Sequence, residues 1–244
     1  MVSTPRPQPV LIAAEAMASE PTLSEHAYGQ LRAQILTGEL QPGQKLTLQL
    51  LQHKFGLSSS PLREALNRLT SDGLVLTDGR RGFRAAPISI ADIEDITFLR
   101  LVLESAGLEQ SIDQGKDDWE ARIVAAFYRL ELIESRVDSG RAARDDSWTE
   151  RHREFHLALI SACQSPRLLA SCASLFDQSE RYRRLSPKLR KERRDTLEEH
   201  KRLMQLVLKR QKAAAVAMLR DHYCKTTENL VREFSQQKAV KKPR

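Results

Sequence analysis

Apolar residues recur at helical spacing along most of the chain. Ala27, Leu31 and Ile35 predict an amphipathic helix over about 24–37, opened by Thr22 and Glu25 at capping-box spacing and closed by Gly38. A turn-forming run from Gly38 to Gly43 follows. Leu48, Leu50, Leu51 and Phe55 then outline a short second helix stopped at Gly56. Ser58, Ser59 and Ser60 offer N-cap oxygens for a third helix, Pro61 suits its first turn, and Leu62, Ala65, Leu66 and Leu69 give it a buried face as far as Gly73. Two short helices across a tight turn make a helix-turn-helix. Segments 74–77 and 83–86 flank Asp78-Gly79-Arg80-Arg81-Gly82, the pattern of a β-hairpin that would serve as a wing.

Beyond Ser89 the period changes to that of long helices, expected near 90–113, 116–138, 146–164, 166–184, 188–209 and 211–235. Gly115, Gly140, Pro166 and Pro187 supply most of the breaks, and short connections make neighbours antiparallel. The fold class is therefore mostly α: an N-terminal winged helix-turn-helix followed by an all-α bundle. The expected organisation is a proline-rich arm over 1–21, the winged module over 22–87, the helical domain over 88–235 and a basic tail over 236–244.

Composition narrows the class of protein. At 244 residues and 41% hydrophobic content the chain can bury a sizeable core, and 5% aromatic residues with only 10 glycines disfavour an all-β fold. Three dispersed cysteines, Cys163, Cys172 and Cys224, form no Cys-x-x-Cys pair and read as buried thiols of a reducing compartment. No apolar run approaches the roughly 18 residues of a membrane span, and 9–17 lacks the features of a secretory signal, so a soluble cytoplasmic protein is expected. The net charge of +7 is compatible with nucleic acid but does not require it.

On the third helix Arg63, Asn67 and Arg68 avoid the apolar face, while Ser58, Ser59 and Ser60 lie at its N-terminal end, where recognition helices meet base edges and phosphates. Arginine can pair bidentately with guanine, and a serine hydroxyl suits phosphate or base. Arg80 and Arg81 at the hairpin tip are placed for phosphate or minor-groove contact. Any one of these charges is adequately explained as surface solvation. Helix, turn, helix and basic hairpin in succession favour binding to double-stranded DNA.

Four of the six histidines form a second constellation. His152 and His156 share one helix face at i and i+4, and His200 and His222 sit on consecutive helices that a short connection near Arg210 would pack antiparallel. A lone histidine is more often a core or surface residue than a ligand. Four converging imidazoles suit zinc, nickel, copper or iron, as in metal sites built inside bundles. Arg100 and Glu104, four apart, suit a structural ion pair. The run Arg181-Tyr182-Arg183-Arg184 reads either as a solvated helix end or as a source of another pocket cation.

Gly38-Glu39-Leu40-Gln41-Pro42-Gly43-Gln44-Lys45-Leu46, Phe55-Gly56-Leu57-Ser58, Pro61-Leu62-Arg63-Glu64-Ala65-Leu66 and Gly79-Arg80-Arg81-Gly82-Phe83 together resemble the N-terminal domain of GntR-family transcriptional regulators. The helical remainder, with Phe155-His156, His200 and His222, resembles the effector (FCD) domain of the FadR-like branch, with a further similarity to CsiR-like regulators of small dicarboxylates. The resemblance implies a homodimeric, ligand-controlled repressor that binds operator DNA and a small organic acid, mono- or dicarboxylate. It implies a divalent metal (zinc or nickel) on His152, His156, His200 and His222, and it makes Arg100 a contact for the effector beside those histidines. Two departures matter. Ser59 stands where the family commonly has arginine, which alters the expected operator sequence. His152 stands where an aspartate is usual, so an all-imidazole site either favours softer metals or holds the effector without one.

Two other functions fit parts of the sequence. A metal-dependent hydrolase would use the histidines to activate water. The chain lacks His-Glu-x-x-His, Gly-x-Ser-x-Gly and a phosphate-cradling Gly-x-x-x-x-Gly-Lys motif, and Glu154 points to a different side from His152 and His156, so no enzyme is expected. A constitutive architectural DNA-binding protein would use the helical domain only for dimerisation.

Overall fold

The computed structural model describes residues 21–77, 79, 82–138, 145–186 and 196–240. Residues 1–20 of the expected N-terminal arm, Arg80 and Arg81, the start of the helix expected at 188 and residues 241–244 of the expected basic tail lie outside those residues, while 236–240 of that tail belong to the last helix. The first module contains α1 (Leu23–Thr37), β1 (Lys45–Leu46), α2 (Leu48–Phe55), α3 (Ser59–Ser71), β2 (Val75–Thr77) and β3 (Phe83–Ala85). The capping box forms as the spacing predicts: Thr22 Oγ1 accepts from Glu25 N–H, and Glu25 accepts from Thr22 N–H at 2.8 Å. Gly38 at φ +81° and Gly56 at φ +66° end α1 and α2 in left-handed geometry, which costs glycine little.

α1 and α3 press Leu31, Ile35, Leu62, Leu66 and Leu69 into one core with Leu46, Val75 and Phe83 from the sheet. The expected hairpin is present, and a third strand joins it. β1 pairs antiparallel with β3 through Lys45↔Arg84 and Leu46↔Phe83, giving the order β1-β3-β2. Two residues carry no period, which is why the sequence pattern does not reveal β1.

The second module is helical: α4 (Ile90–Gln114), α5 (Asp117–Asp138), α6 (Asp146–Leu159), α7 (Pro166–Leu185), α8 (Thr196–Leu208) and α9 (Lys212–Val240). Ser89, Asp145 and Ser165 cap α4, α6 and α7 with side-chain oxygens, and Pro166 opens α7. α6 stops at Leu159 rather than 164, because Ile160 leaves helical geometry and Cys163 N–H turns back to Ile160 O. α9 continues to Val240 instead of 235. The α8 to α9 turn uses Arg210 at φ +55°, held by donation to Ile112 O and Gly115 O. The main core contains Leu108, Ile123, Phe127, Phe155, Leu159, Leu203 and Leu219. Cys163 and Cys172 are buried thiols as expected; Cys224 is only partly buried.

α7 is where the two modules meet. Ser174 Oγ and Gln178 Nε2 both donate to Asp72 O, at 2.9 and 3.0 Å. Arg32 of α1 reaches Asp177 at 2.5 Å, and Asp177 also accepts from Arg153 of α6 at 3.1 Å. The fit is close: a Cβ at Gly73 would lie 2.6 Å from the Gln178 amide.

Leu66 is fully buried at the centre of the winged module's core. Leu66→Ala should therefore cost about 2–5 kcal/mol in urea unfolding, and a loss below about 1 kcal/mol would contradict this packing.

Candidate functional site

α6 places His152 and His156 one turn apart, α8 supplies His200 and α9 supplies His222. One ligand nitrogen from each lies within 4.8 Å of all the others, so the four histidines singled out by spacing do converge. The antiparallel α8 and α9 bring His200 and His222 level, with ring centroids 4.7 Å apart. His26 and His53 belong to the winged module and take no part.

Neighbouring groups fix the ring orientations. The Tyr223 hydroxyl donates its proton to Glu104, so towards His156 Nδ1, 3.0 Å away, it acts as acceptor. His156 then carries its proton on Nδ1 and directs the Nε2 lone pair at the cluster. His222 Nδ1 lies 2.8 Å from Glu199, which likewise frees its Nε2. His152 has no such tether: its Nδ1 is buried without a hydrogen-bond partner, and its ring stacks on Trp148 with centroids 4.6 Å apart. Its Nε2 sits 3.0 Å from His156 Nε2.

This donor set fits a divalent transition metal. Lone pairs from separate helices face one another at close range, and a cation among them would replace mutual repulsion by coordination. Burial first, then the neighbouring imidazoles, hold the His152 and His156 pKa values well below the ordinary value, so both are neutral ligands at pH 7.

A cavity of about 80 Å³ opens beside the cluster, lined by Arg100, Trp148, His152, Phe176, His200 and His222, with Thr97, Thr227 and Asn229 among its polar groups. That is room for several waters, hence for a compact ligand. His156 is not among its walls. Arg100 forms the expected pair with Glu104, donating from Nε at 2.7 Å, and its Nη1 donates to Ser179 at 2.9 Å. Its Nη2 is buried with no acceptor in a guanidinium packed 4.0 Å over the Tyr223 ring. Burial alone would lower the Arg100 pKa, but Glu104 and Tyr223 more than offset it, and the group stays charged.

The run 181–184 is not a solvated helix end. All four residues are buried, and Arg183 lines the cavity, stacked 4.2 Å over Trp148 and bound through Nε to Glu180 at 2.8 Å. Glu180 on the same helix, with Asp146 for Arg184, neutralises charges that a run of basic residues would otherwise keep in water. Tyr223, Glu199 and Trp148 escaped the sequence reading, as did the contact of Glu104 with Tyr223. Tyr223 and Glu199 each adjoin a cluster histidine in sequence, which is the one signal that points to them.

In the winged module Ser58, Ser59, Ser60, Arg63, Asn67 and Arg68 are all exposed on α3 or at its start. Ser58 holds the N-cap position without a side-chain cap bond, contrary to expectation. The Arg68 guanidinium rests 4.0 Å over Tyr28, whose hydroxyl donates to Asp72. Glu154 pairs with Arg151 at 2.8 Å.

A winged helix-turn-helix joined to a helical chamber is the architecture of a DNA-binding transcriptional regulator rather than an enzyme. The chain belongs to the GntR family: residues 23–84 match the bacterial regulatory proteins of the gntR family, and residues 95–224 match the FCD domain. It is 35% identical over 218 residues to BphR of Paraburkholderia xenovorans (strain LB400), an uncharacterized HTH-type transcriptional regulator, covering 89% of each chain. It is 33% identical over 202 residues to the HTH-type transcriptional repressor GlaR of Escherichia coli (strain K12), covering 80% of this chain and 90% of that protein. The fold is similar to that of Escherichia coli McbR/YncC, with a TM-score of 0.71 at 19% identity over 87% of this chain and 99% of that one. No described helix is long and apolar enough to cross a membrane.

The unfolded chain takes up protons on histidine near pH 6.5, whereas the folded chain holds His152 and His156 neutral to well below that. Stability present above about pH 6.5 is therefore lost as the pH falls below it. Chelator-treated protein should lose Tm steadily from about pH 7 to pH 5, and His152→Phe should flatten the slope. An unchanged slope in that variant would contradict the burial of a neutral His152.

Proposed function

We propose that the protein is a ligand-responsive repressor, released from its operator by a small organic acid, mono- or dicarboxylate, held in the histidine-lined cavity. Residues 22–87 act as the DNA-binding domain and 88–235 as the effector-binding and dimerisation domain. The observation that carries this reading is the double contact of α7. Phe176, Ser179, Glu180 and Arg183 line the cavity, while Ser174, Asp177 and Gln178 on the same helix hold the winged module.

A homodimer would set two α3 helices on successive half-sites of a palindrome. Arg63 and Asn67 would reach base edges, Ser58, Ser59 and Ser60 would meet phosphates or bases, and Arg68 would contact the backbone from its stacked position on Tyr28. Arg80 and Arg81 are the further basic candidates. Arg100 Nη2, buried without an acceptor, would receive a carboxylate oxygen. His152, His156, His200 and His222 would hold a divalent metal, zinc or nickel, and when bound it would supply a Lewis-acidic partner for an effector oxygen. Imidazoles in place of the usual mixed set favour these softer ions. To switch DNA binding the effector must favour one arrangement of the winged modules by about 1–3 kcal/mol.

The effector is sought by thermal-shift screening of small carboxylates with and without chelator, each hit then tested by gel shift. Arg63→Ala should lower specific operator affinity at least about tenfold while leaving the Tm unchanged. Retained affinity would remove α3 as the reading element. Combining His156→Ala with His200→Ala should abolish ligand-induced release but spare operator binding, and an undiminished response would exclude the histidine cavity as the effector site.

A further inference from the structure

Arg181 is the anomaly among the buried arginines. Arg100 pairs with Glu104, Arg183 with Glu180 and Arg184 with Asp146. Arg181 is only 3% exposed and, among the described residues, has no carboxylate oxygen within 4.0 Å. One of its donors is used: Nη2 donates to Ala86 O at 2.6 Å. Nε is buried with no acceptor. Burial is the leading reason that its pKa lies below the ordinary value, with Tyr182 and Asp92 only partly opposing that shift.

The guanidinium lines a crevice of about 210 Å³ between the two modules, separate from the histidine cavity. Leu76, Ala86, Pro87 and Ile96 give it apolar walls, and Ser89 and Gln178 add polar groups. Ala86 to Ser89 form the connection between β3 and α4, so a ligand here would touch the segment joining the modules. Among the described residues Asp92 is the one acidic wall residue, and its carboxylate accepts from the Tyr182 hydroxyl. One unpaired guanidinium beside one committed carboxylate suits an anion of single charge and disfavours a dianion such as hydrogen phosphate.

We propose that this crevice is a second ligand site, which binds a short monocarboxylate with its carboxylate on Arg181 and its apolar tail against Leu76, Pro87 and Ile96. The guanidinium can turn a free donor to the carboxylate while Nη2 keeps its bond to Ala86, and the walls reward a tail of a few carbons over a bare halide. Because α7 carries Arg181 between Glu180 and Arg183, both walls of the histidine cavity, the two sites share one helix.

The probe is sodium propionate, titrated calorimetrically into the full-length protein at ionic strength held constant with sodium chloride, with sodium phosphate as a comparison. The expected result is saturable propionate binding that exceeds phosphate binding, persists when His156→Ala and His200→Ala are combined, and weakens at least about tenfold in Arg181→Met. Persistence in the histidine variant separates this site from the effector reading above. A crystal structure of the wild type soaked in propionate decides the matter even if Arg181→Met does not fold. Propionate density within hydrogen-bond reach of the Arg181 guanidinium supports the site. Only water or chloride there, propionate confined to the histidine cavity, or undiminished binding by Arg181→Met overturns it.

Discussion

The Asp177 carboxylate joins three parts of the molecule. It accepts from Arg32 on α1 of the winged module and from Arg153 on α6, and it belongs to α7 itself. Arg153 lies between His152 and His156, so the helix that presents two of the clustered imidazoles is one ion pair away from the DNA-binding module. Around this point α7 is gripped on both sides, by Asp72 and Ala86 of the winged half and by the buried network of Thr149, Glu180 and Arg183 in the helical half. Partly exposed ion pairs contribute little stability singly. Here the value of the pairs is positional, because each arginine comes from a different element and one carboxylate registers both.

The chamber beside α7 is an example of polar groups kept in a protein core by mutual satisfaction. Arg100, Glu104, Tyr223 and His156 form a continuous chain of hydrogen bonds that starts at a guanidinium and ends at an imidazole facing the cluster. Removing a middle member would strand a buried charge on one side and release a ring on the other. Burial also pushes the nearby Cys172 thiol up to about 12, which makes it an inert core residue rather than a nucleophile. Such networks tolerate few arrangements, and an added cation or carboxylate must choose among them. In the proposed switch, that restriction would couple ligand binding in the chamber to the placement of α7.

Most of the fold was legible in the chain. Glycine and proline breaks with a 3.6-residue apolar period placed the helices, and Thr22 with Glu25 announced the first cap. β1 was not legible, since two residues cannot display alternation, and the end of α6 was hidden by the apolar run through Ile160, Ala162 and Cys163. The histidine cluster was legible because i and i+4 spacing and antiparallel neighbours are local properties. Its supporting shell was not. Tyr223 and Glu104 lie 119 positions apart and meet only after α4 and α9 pack. The run 181–184 misled for a related reason: its basic character suggests solvent, whereas its acidic partners come from Glu180 one turn back and Asp146 on another helix. Pairing across elements cannot be seen in a window of sequence.

In the proposed switch, α7 transmits the state of the chamber to the winged module through Asp177. The most direct test compares operator affinity with and without a saturating carboxylate ligand from the screen, in the wild type and in Asp177→Asn. The variant is expected to bind both ligand and DNA still, while the ratio of the two affinities falls towards one. A ratio equal to that of the wild type, with both separate affinities intact, would contradict it.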